Sequence, residues 1–236
     1  HLDNIQLAAD QAILLQRAVR GTARQHGVAA TFMAKPYPND AGSGLHAHLS
    51  LLNDQGENIF NSGDDFGSAV LRHAIAGLLE LLPESMALFA PNVNSYRRFI
   101  PNLFVPINRS WGYNNRSVAV RVPPGDEQSR RFEHRVSGAD ANPYLVLAAV
   151  LAGVHHGIKH RLDPGEPIEG NASSKKDPRL PFNWQHALDM LSAGQVIKEH
   201  MGAEYMQLYS HTKQSEHDEF HAHISSLEFE WYLNHS

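Results

Sequence analysis

Three groups of residues have the types and spacing to do chemistry. The first is Gly42-Ser43-Gly44-Leu45-His46-Ala47-His48-Leu49-Ser50. His46 and His48 are two apart, so on a strand they point to one face. A neutral imidazole there can bind a divalent cation, and a second can hydrogen-bond a phosphate or a base. Glycines just before the strand let the backbone approach a ligand closely. Taken alone, an HxH pair is better read as a solvated strand face. The second group is Arg131-Phe132-Glu133-His134-Arg135. Glu133 and Arg135 share one strand face, while Phe132, His134 and Val136 take the other. A carboxylate beside a guanidinium suits a metal next to an anionic substrate. In isolation a cross-strand ion pair is the simpler reading. The third group is Arg97, Arg98, Arg109, Arg116 and Arg121. Arginines converging on one pocket favour carboxylates and transferring phosphoryl groups, but sequence does not show convergence. His217, His221 and His223 also lie close together. With Ser215, Asp218 and Glu219 around them and no third ligand evident, they read as a polar helix face rather than a metal pair.

The elements that must position these groups follow from periodicity. Asn4 to His26 reads as a helix, with Ile5, Ala8, Ala12, Leu15 and Val19 at helical spacing and Gly27 to end it. Ala30 to Lys35 reads as a short strand and Pro36 to Gly44 as a loop. From Gly44 to Leu52, apolar Leu45, Ala47, Leu49 and Leu51 alternate with His46, His48 and Ser50, which is a strand period. Phe66 to Leu82 reads as an apolar helix stopped by Pro83. Pro91 to Asn115, rich in Asn, Pro and Arg, reads as a long ordered loop. Ser117 to Val122 and Arg131 to Val136 alternate as strands. Asn142 to Leu162 is a helix apolar enough to be buried, Asp163 to Leu180 a connector, and Phe182 onward helical with breaks near Gly194 and Gly202. Helices and strands mix without βαβ alternation. The expected fold class is α+β, an antiparallel sheet flanked by helices.

Composition sets outer bounds. The 236 residues carry 42% hydrophobic content, enough to bury a core. A net charge of −5 offers no basic excess for nucleic acid or an anionic membrane surface. Without cysteine there is no disulfide and no thiolate chemistry, which suits a cytoplasmic location. The longest apolar stretch, Tyr144 to Val154, is too short to span a bilayer. The chain begins at His1 and not at Met, and reads as part of a longer protein.

Together the motifs resemble the glutamine synthetase superfamily. The stretches that carry the likeness are 30–36, 42–48, 90–98, 114–123, 132–135 and 138–145, in matching order and spacing. The resemblance covers most of the chain and fades after about Gly170. It implies that residues 1–236 are part of a catalytic domain, lacking the N-terminal β-grasp domain and the upstream segment with most of the metal-binding glutamates. It also implies roles for individual residues. His46 and Glu133 match ligands of one divalent metal, Mg2+ or Mn2+. His48, Ser50 and Arg121 match positions contacting ATP. Gly42, Arg98, Arg116 and Arg135 match positions toward glutamate, and Arg116 and Arg121 lie near the reacting centre. The implied reaction phosphorylates the glutamate γ-carboxylate with ATP, and an amine then displaces phosphate. The full-length protein is expected to form homo-oligomeric rings.

Two departures point to a particular branch. Phe104 stands where ammonia-using members carry a glutamate of the ammonium site, and Ala41 stands where they carry an asparagine. Both changes are similar to the γ-glutamylpolyamine branch, so the expected amine is a polyamine such as putrescine. The alternatives are an ammonia-using synthetase and a non-catalytic structural module of the same fold.

Overall fold

The computed structural model describes residues 4–63 and 66–234. Within them, seven helices and four short strands follow one another as α1 (Ile5–Gln25), β1 (Ala47–Leu49), α2 (Ala69–Phe89), β2 (Trp111–Tyr113), β3 (Val120–Val122), β4 (Phe132–His134), α3 (Pro143–His160), α4 (Trp184–Ala193), α5 (Val196–Met201), α6 (Ala203–Ala222) and α7 (Ser226–Tyr232). The strands form one sheet in the order β1-β4-β3-β2, flanked by helices in an α+β arrangement.

Register places the chemistry. β4 pairs antiparallel with β1, setting His48 beside Glu133, and antiparallel with β3, setting Arg121 beside Glu133. The β2–β3 pairing is parallel, unlike the antiparallel sheet expected throughout. Parallel strands ordinarily need a long crossover. Here each strand is three residues long, about 10 Å at the rise of an extended chain, so the short 114–119 segment can return to the starting end.

The core lies on the helical side. α2 and α3 meet backbone to backbone because Gly77, Gly153 and Gly157 line the seam: a Cβ at Gly157 would collide with the His73 carbonyl, and one at Gly77 with the Gly153 carbonyl. Around the seam sit Ile75, Leu78, Leu82, Met86, Val146 and Val150, all buried.

Three boundaries differ from the sequence reading. α2 does not stop at Pro83 but runs on to Phe89. The proline removes one helical hydrogen bond at a cost of about 3 kcal/mol. Burial of Met86, Leu88 and Phe89 beyond it offsets that cost at about 1.5–3 kcal/mol each. Ala30 to Lys35 is not a strand. The Asn94 side chain receives the Lys35 N–H at 2.8 Å and donates to its carbonyl at 2.9 Å, taking the place of a strand neighbour. The long 91–115 segment contains a 3-10 helix, Val93–Arg98, as well as β2. In the C-terminal part the breaks fall at Gly194 and Gly202, and a further one precedes α7, where Ser225 and Glu228 form a capping box. Among the described residues no helix is long and apolar enough to cross a membrane.

Candidate active site

Glu133, at the centre of β4, is the hub of the site. Its side chain is 4% exposed. Oε2 accepts from Arg121 Nη1 at 2.8 Å, and Oε1 accepts from Arg135 Nη1 at 2.7 Å. His46 Nδ1 lies 2.9 Å from Oε1, and His48 Nε2 3.8 Å from the same oxygen. Strand alternation explains the gathering: Arg135 follows just beyond the end of β4, two residues from Glu133, and β1 and β3 carry His48 and Arg121 to the same side. The opposite face is apolar. Phe132 and His134 are buried, and the His134 ring lies 4.5 Å from that of Phe89.

The local field follows from these contacts. Burial alone would raise the Glu133 carboxyl, but the Arg121 hydrogen bond, the Arg135 charge and, in the acid range where the imidazoles are protonated, His46 and His48 outweigh it and hold it below its usual range. Burial, and then the Arg135 charge, push His46 below the ordinary histidine value against the pull of Glu133. Burial does the same for His48, where the Arg131, Arg121 and Arg135 charges oppose Glu133. Both imidazoles are therefore neutral at neutral pH, the form that binds cations.

A cleft of about 400 Å³ opens over this cluster, lined by His46, Phe104, Arg116, Arg121, Glu133 and Arg135. Arg116 is exposed and forms no ion pair among the described residues. Phe104 is 76% exposed at the rim. Arg98 sits beneath the glycine loop and not in the cleft lining. It is 2% exposed and donates from Nη1 to the Val136 carbonyl at 3.2 Å. A Cβ at Gly42 would stand 2.8 Å from Arg98 Cγ, so the loop closes over the arginine only with glycine there.

Other residues singled out from sequence lie elsewhere. Ser50 does not join the cluster; its hydroxyl donates to the Arg130 carbonyl at 2.9 Å, beyond the end of β1. Arg109 pairs with Asp177 at 3.3 Å. Arg97 lines a separate pocket with Tyr96, Trp184 and His217. His217 and His221 stack on each other at 4.0 Å, and His217 packs against Trp184. Two contacts lay outside the sequence reading. Asn114 Oδ1 accepts from Arg121 Nη2 at 2.7 Å, and Arg131 Nε approaches His48 Nδ1 at 3.4 Å. Arg131 opens the 131–135 group and Asn114 opens the matched 114–123 stretch, but neither contact followed from spacing.

As a cation site the donor set is partial. One carboxylate and two neutral imidazoles suit a divalent ion, yet two guanidiniums already occupy the carboxylate. Among the described residues no group of three such ligands converges to hold an ion alone. The residues therefore fit a divalent ion only as part of a donor set.

An α+β sheet with a basic, carboxylate-centred cleft places the chain in a known class. It belongs to the glutamine synthetase family: the model described as "Glutamine synthetase, catalytic domain" matches residues 1–232. Among its relatives, γ-glutamylputrescine synthetase PuuA of Escherichia coli (strain K12) is 44% identical over 99% of this chain and 49% of its own length. γ-Glutamylethanolamide synthetase GlnA4 of Streptomyces coelicolor is 37% identical over 96% and 48%. A glutamine synthetase of Halobacterium salinarum is 35% identical over 98% and 53%. The apo structure of GmaS superposes with a TM-score of 0.86 at 30% identity, covering 98% of this chain and 54% of that one. The chain spans about half the length of the curated relatives it matches.

Proposed function

We propose that this chain supplies the phosphate- and glutamate-facing wall of an ATP-dependent ligase that joins the γ-carboxylate of glutamate to an amine, with putrescine as the preferred amine. The observation that carries the proposal is the Glu133 cluster. Arg121, Arg135 and His46 are held on one carboxylate, beside an exposed Arg116 and an apolar Phe104, in a single cleft. The similarity to a γ-glutamylputrescine synthetase supports the choice of amine.

In the first step a γ-carboxylate oxygen of glutamate attacks the terminal phosphorus of ATP, and the bond to ADP breaks. In the second, the amine nitrogen attacks the acyl carbon, phosphate leaves with the bonding pair, and the nitrogen loses a proton. Both steps pass negative charge onto phosphoryl and carbonyl oxygens. Fixed guanidiniums stabilise such charge without reorganising. In this reading Arg116 and Arg121 would meet the phosphoryl oxygens, and Arg135, Gly42 in the glycine loop and Arg98 beneath it would serve the glutamate side. His46 and Glu133 would hold a divalent cation, Mg2+ or Mn2+, whose contribution is to neutralise phosphate charge. His48, on the same sheet face as Glu133, would supply a nucleotide contact. Ser50, bonded to the Arg130 carbonyl, is the weakest member of the assigned set.

Phe104 bears on the amine. A bound ammonium is desolvated and needs a carboxylate or several acceptors to offset the cost. An aromatic ring supplies neither, but it can cover a methylene chain at about 25 cal/mol per Å². The test is amine-dependent phosphate release by the full-length protein with ammonia, putrescine and a simple monoalkylamine. The expected order places putrescine first in kcat/KM. A higher value for ammonia would return the protein to glutamine synthesis. Phe104→Glu should raise ammonia use relative to putrescine, and an unchanged ratio would remove Phe104 from the selectivity argument.

A further inference from the structure

Arg121 is fixed from both sides across the sheet. On the β4 side, Nη1 donates to Glu133 Oε2 at 2.8 Å. On the β2 side, Nη2 donates to Asn114 Oδ1 at 2.7 Å. The order β1-β4-β3-β2 puts these partners on opposite flanks of the strand that carries Arg121. A guanidinium is a planar fork that only donates. Two acceptors at its two ends fix its plane as well as its position, which a single ion pair to Glu133 would leave free to swivel.

Asn114 suits this task for two separable reasons. Its backbone has φ 48°, the left-handed region, where Asn, Asp and Gly are the residues most readily accommodated. That conformation ends β2, and the Asn114 N–H donates to the Val122 carbonyl at 2.8 Å, continuing the pairing with β3. Glycine would satisfy the backbone equally well. It would not satisfy Arg121, which needs the carboxamide oxygen. The same segment carries Arg116, two residues further on, which lines the cleft with Arg121.

We propose that Asn114 is a positioning residue: its carboxamide, opposite Glu133, holds the Arg121 guanidinium in the plane that meets the transferring phosphoryl group. This rests on the reading of the cleft as a phosphoryl-transfer site. Loss of the carboxamide lets Arg121 rotate and lowers the rate of the step it serves, while substrate binding through other groups persists.

The experiment uses the full-length protein with Asn114→Gly, Asn114→Asp, Arg121→Ala and Arg121→Lys, and the double variant Asn114→Gly/Arg121→Lys. Each is measured for kcat and KM with ATP and for thermal melting. Asn114→Gly is expected to lower kcat about tenfold to hundredfold, the scale seen when an outer partner of a site residue is lost, with KM for ATP changed far less. Asn114→Asp keeps an acceptor and the backbone preference, and should recover most of the loss. In the Arg121→Lys background, which has no fork to orient, Asn114→Gly should cost little more. That comparison still decides the matter if Asn114→Gly also lowers the melting temperature. The proposal is overturned if Asn114→Gly keeps wild-type kcat while Arg121→Ala is inactive. Equal fold-losses from Asn114→Gly in the wild-type and Arg121→Lys backgrounds would overturn it too. Full activity in Arg121→Ala would instead overturn the reading of the cleft itself.

Discussion

Consecutive residues of β4 face two opposite regimes. Phe132 and His134 turn toward the helical core, where the α2–α3 seam is so close that Gly77 and Gly157 admit no Cβ. Glu133, between them, turns toward an open cleft and gathers two guanidiniums and an imidazole. On the core side stability depends on the absence of atoms, and charge is excluded. On the cleft side space is plentiful, and the arrangement depends on Glu133 answering two of the guanidiniums. A three-residue strand serves both because its side chains alternate.

The contrast can be broken first at the seam. Gly157→Ala sets a methyl against the His73 carbonyl, and backbone cannot yield as a flexible side chain would. The expected loss is about 3 kcal/mol, the upper part of the overpacking range, seen as a lower urea midpoint. An unchanged midpoint would mean that the seam is looser than drawn. At the hub, Glu133→Gln keeps the volume and one acceptor but leaves Arg121 and Arg135 without their counter-charge. Breaking a buried pair costs about 3–5 kcal/mol. Because the cleft side is wet and the amide retains one acceptor, we expect about 2 kcal/mol. A neutral or stabilising result would show the cluster is not held by charge.

The two faces also differ in their response to pH. Burial, with a smaller contribution from His46, lowers His134 from 6.5 to about 3. Between those values the unfolded chain binds a proton that the folded chain refuses. The stability from the neutral ring is therefore complete above the unfolded value and is lost as pH falls toward the folded one. His134 should account for about 2 kcal/mol of lost stability between about pH 7 and about pH 5. His134→Gln, compared by urea melts at both pH values, should remove that share of the slope; an identical slope in the variant would contradict it. The smallest effect concerns metal. His46 and Glu133 alone form an incomplete donor set, so the 236-residue chain should bind Mg2+ or Mn2+ no tighter than about 1 mM by calorimetry. Tight stoichiometric binding involving His46 would show that the chain completes the site itself.

Much of the cleft was legible because it is built on strand alternation. His46, His48, Glu133 and Arg135 could be assigned to faces from spacing alone, and register then joined β1, β3 and β4 at Glu133. What escaped depends on contacts between segments distant in sequence. The Asn94 amide replaced a strand at Lys35, buried apolar contacts carried α2 through Pro83, and very short strands allowed the parallel β2–β3 pair. Ser50 followed the period of its strand, yet its hydroxyl found a backbone carbonyl instead of the cleft. Asn114 lies in the matched 114–123 stretch, but its contact was not readable there, because it depends on where Arg121 lies across the sheet.

The proposed role of the charged face of β3 and β4 is phosphoryl transfer in the full-length protein. Its most direct test is phosphate release from ATP by the full-length protein, measured with and without glutamate and amine, in wild type and Arg121→Ala, alongside melting curves. Wild type should release phosphate only when both glutamate and amine are present. In Arg121→Ala release should fall by about a hundredfold or more, the scale of losing one preorganised charge-stabilising group, while the melting curve, lowered by loss of the Glu133 partner, still shows a folded protein. Wild-type turnover in a folded Arg121→Ala protein would contradict the claim.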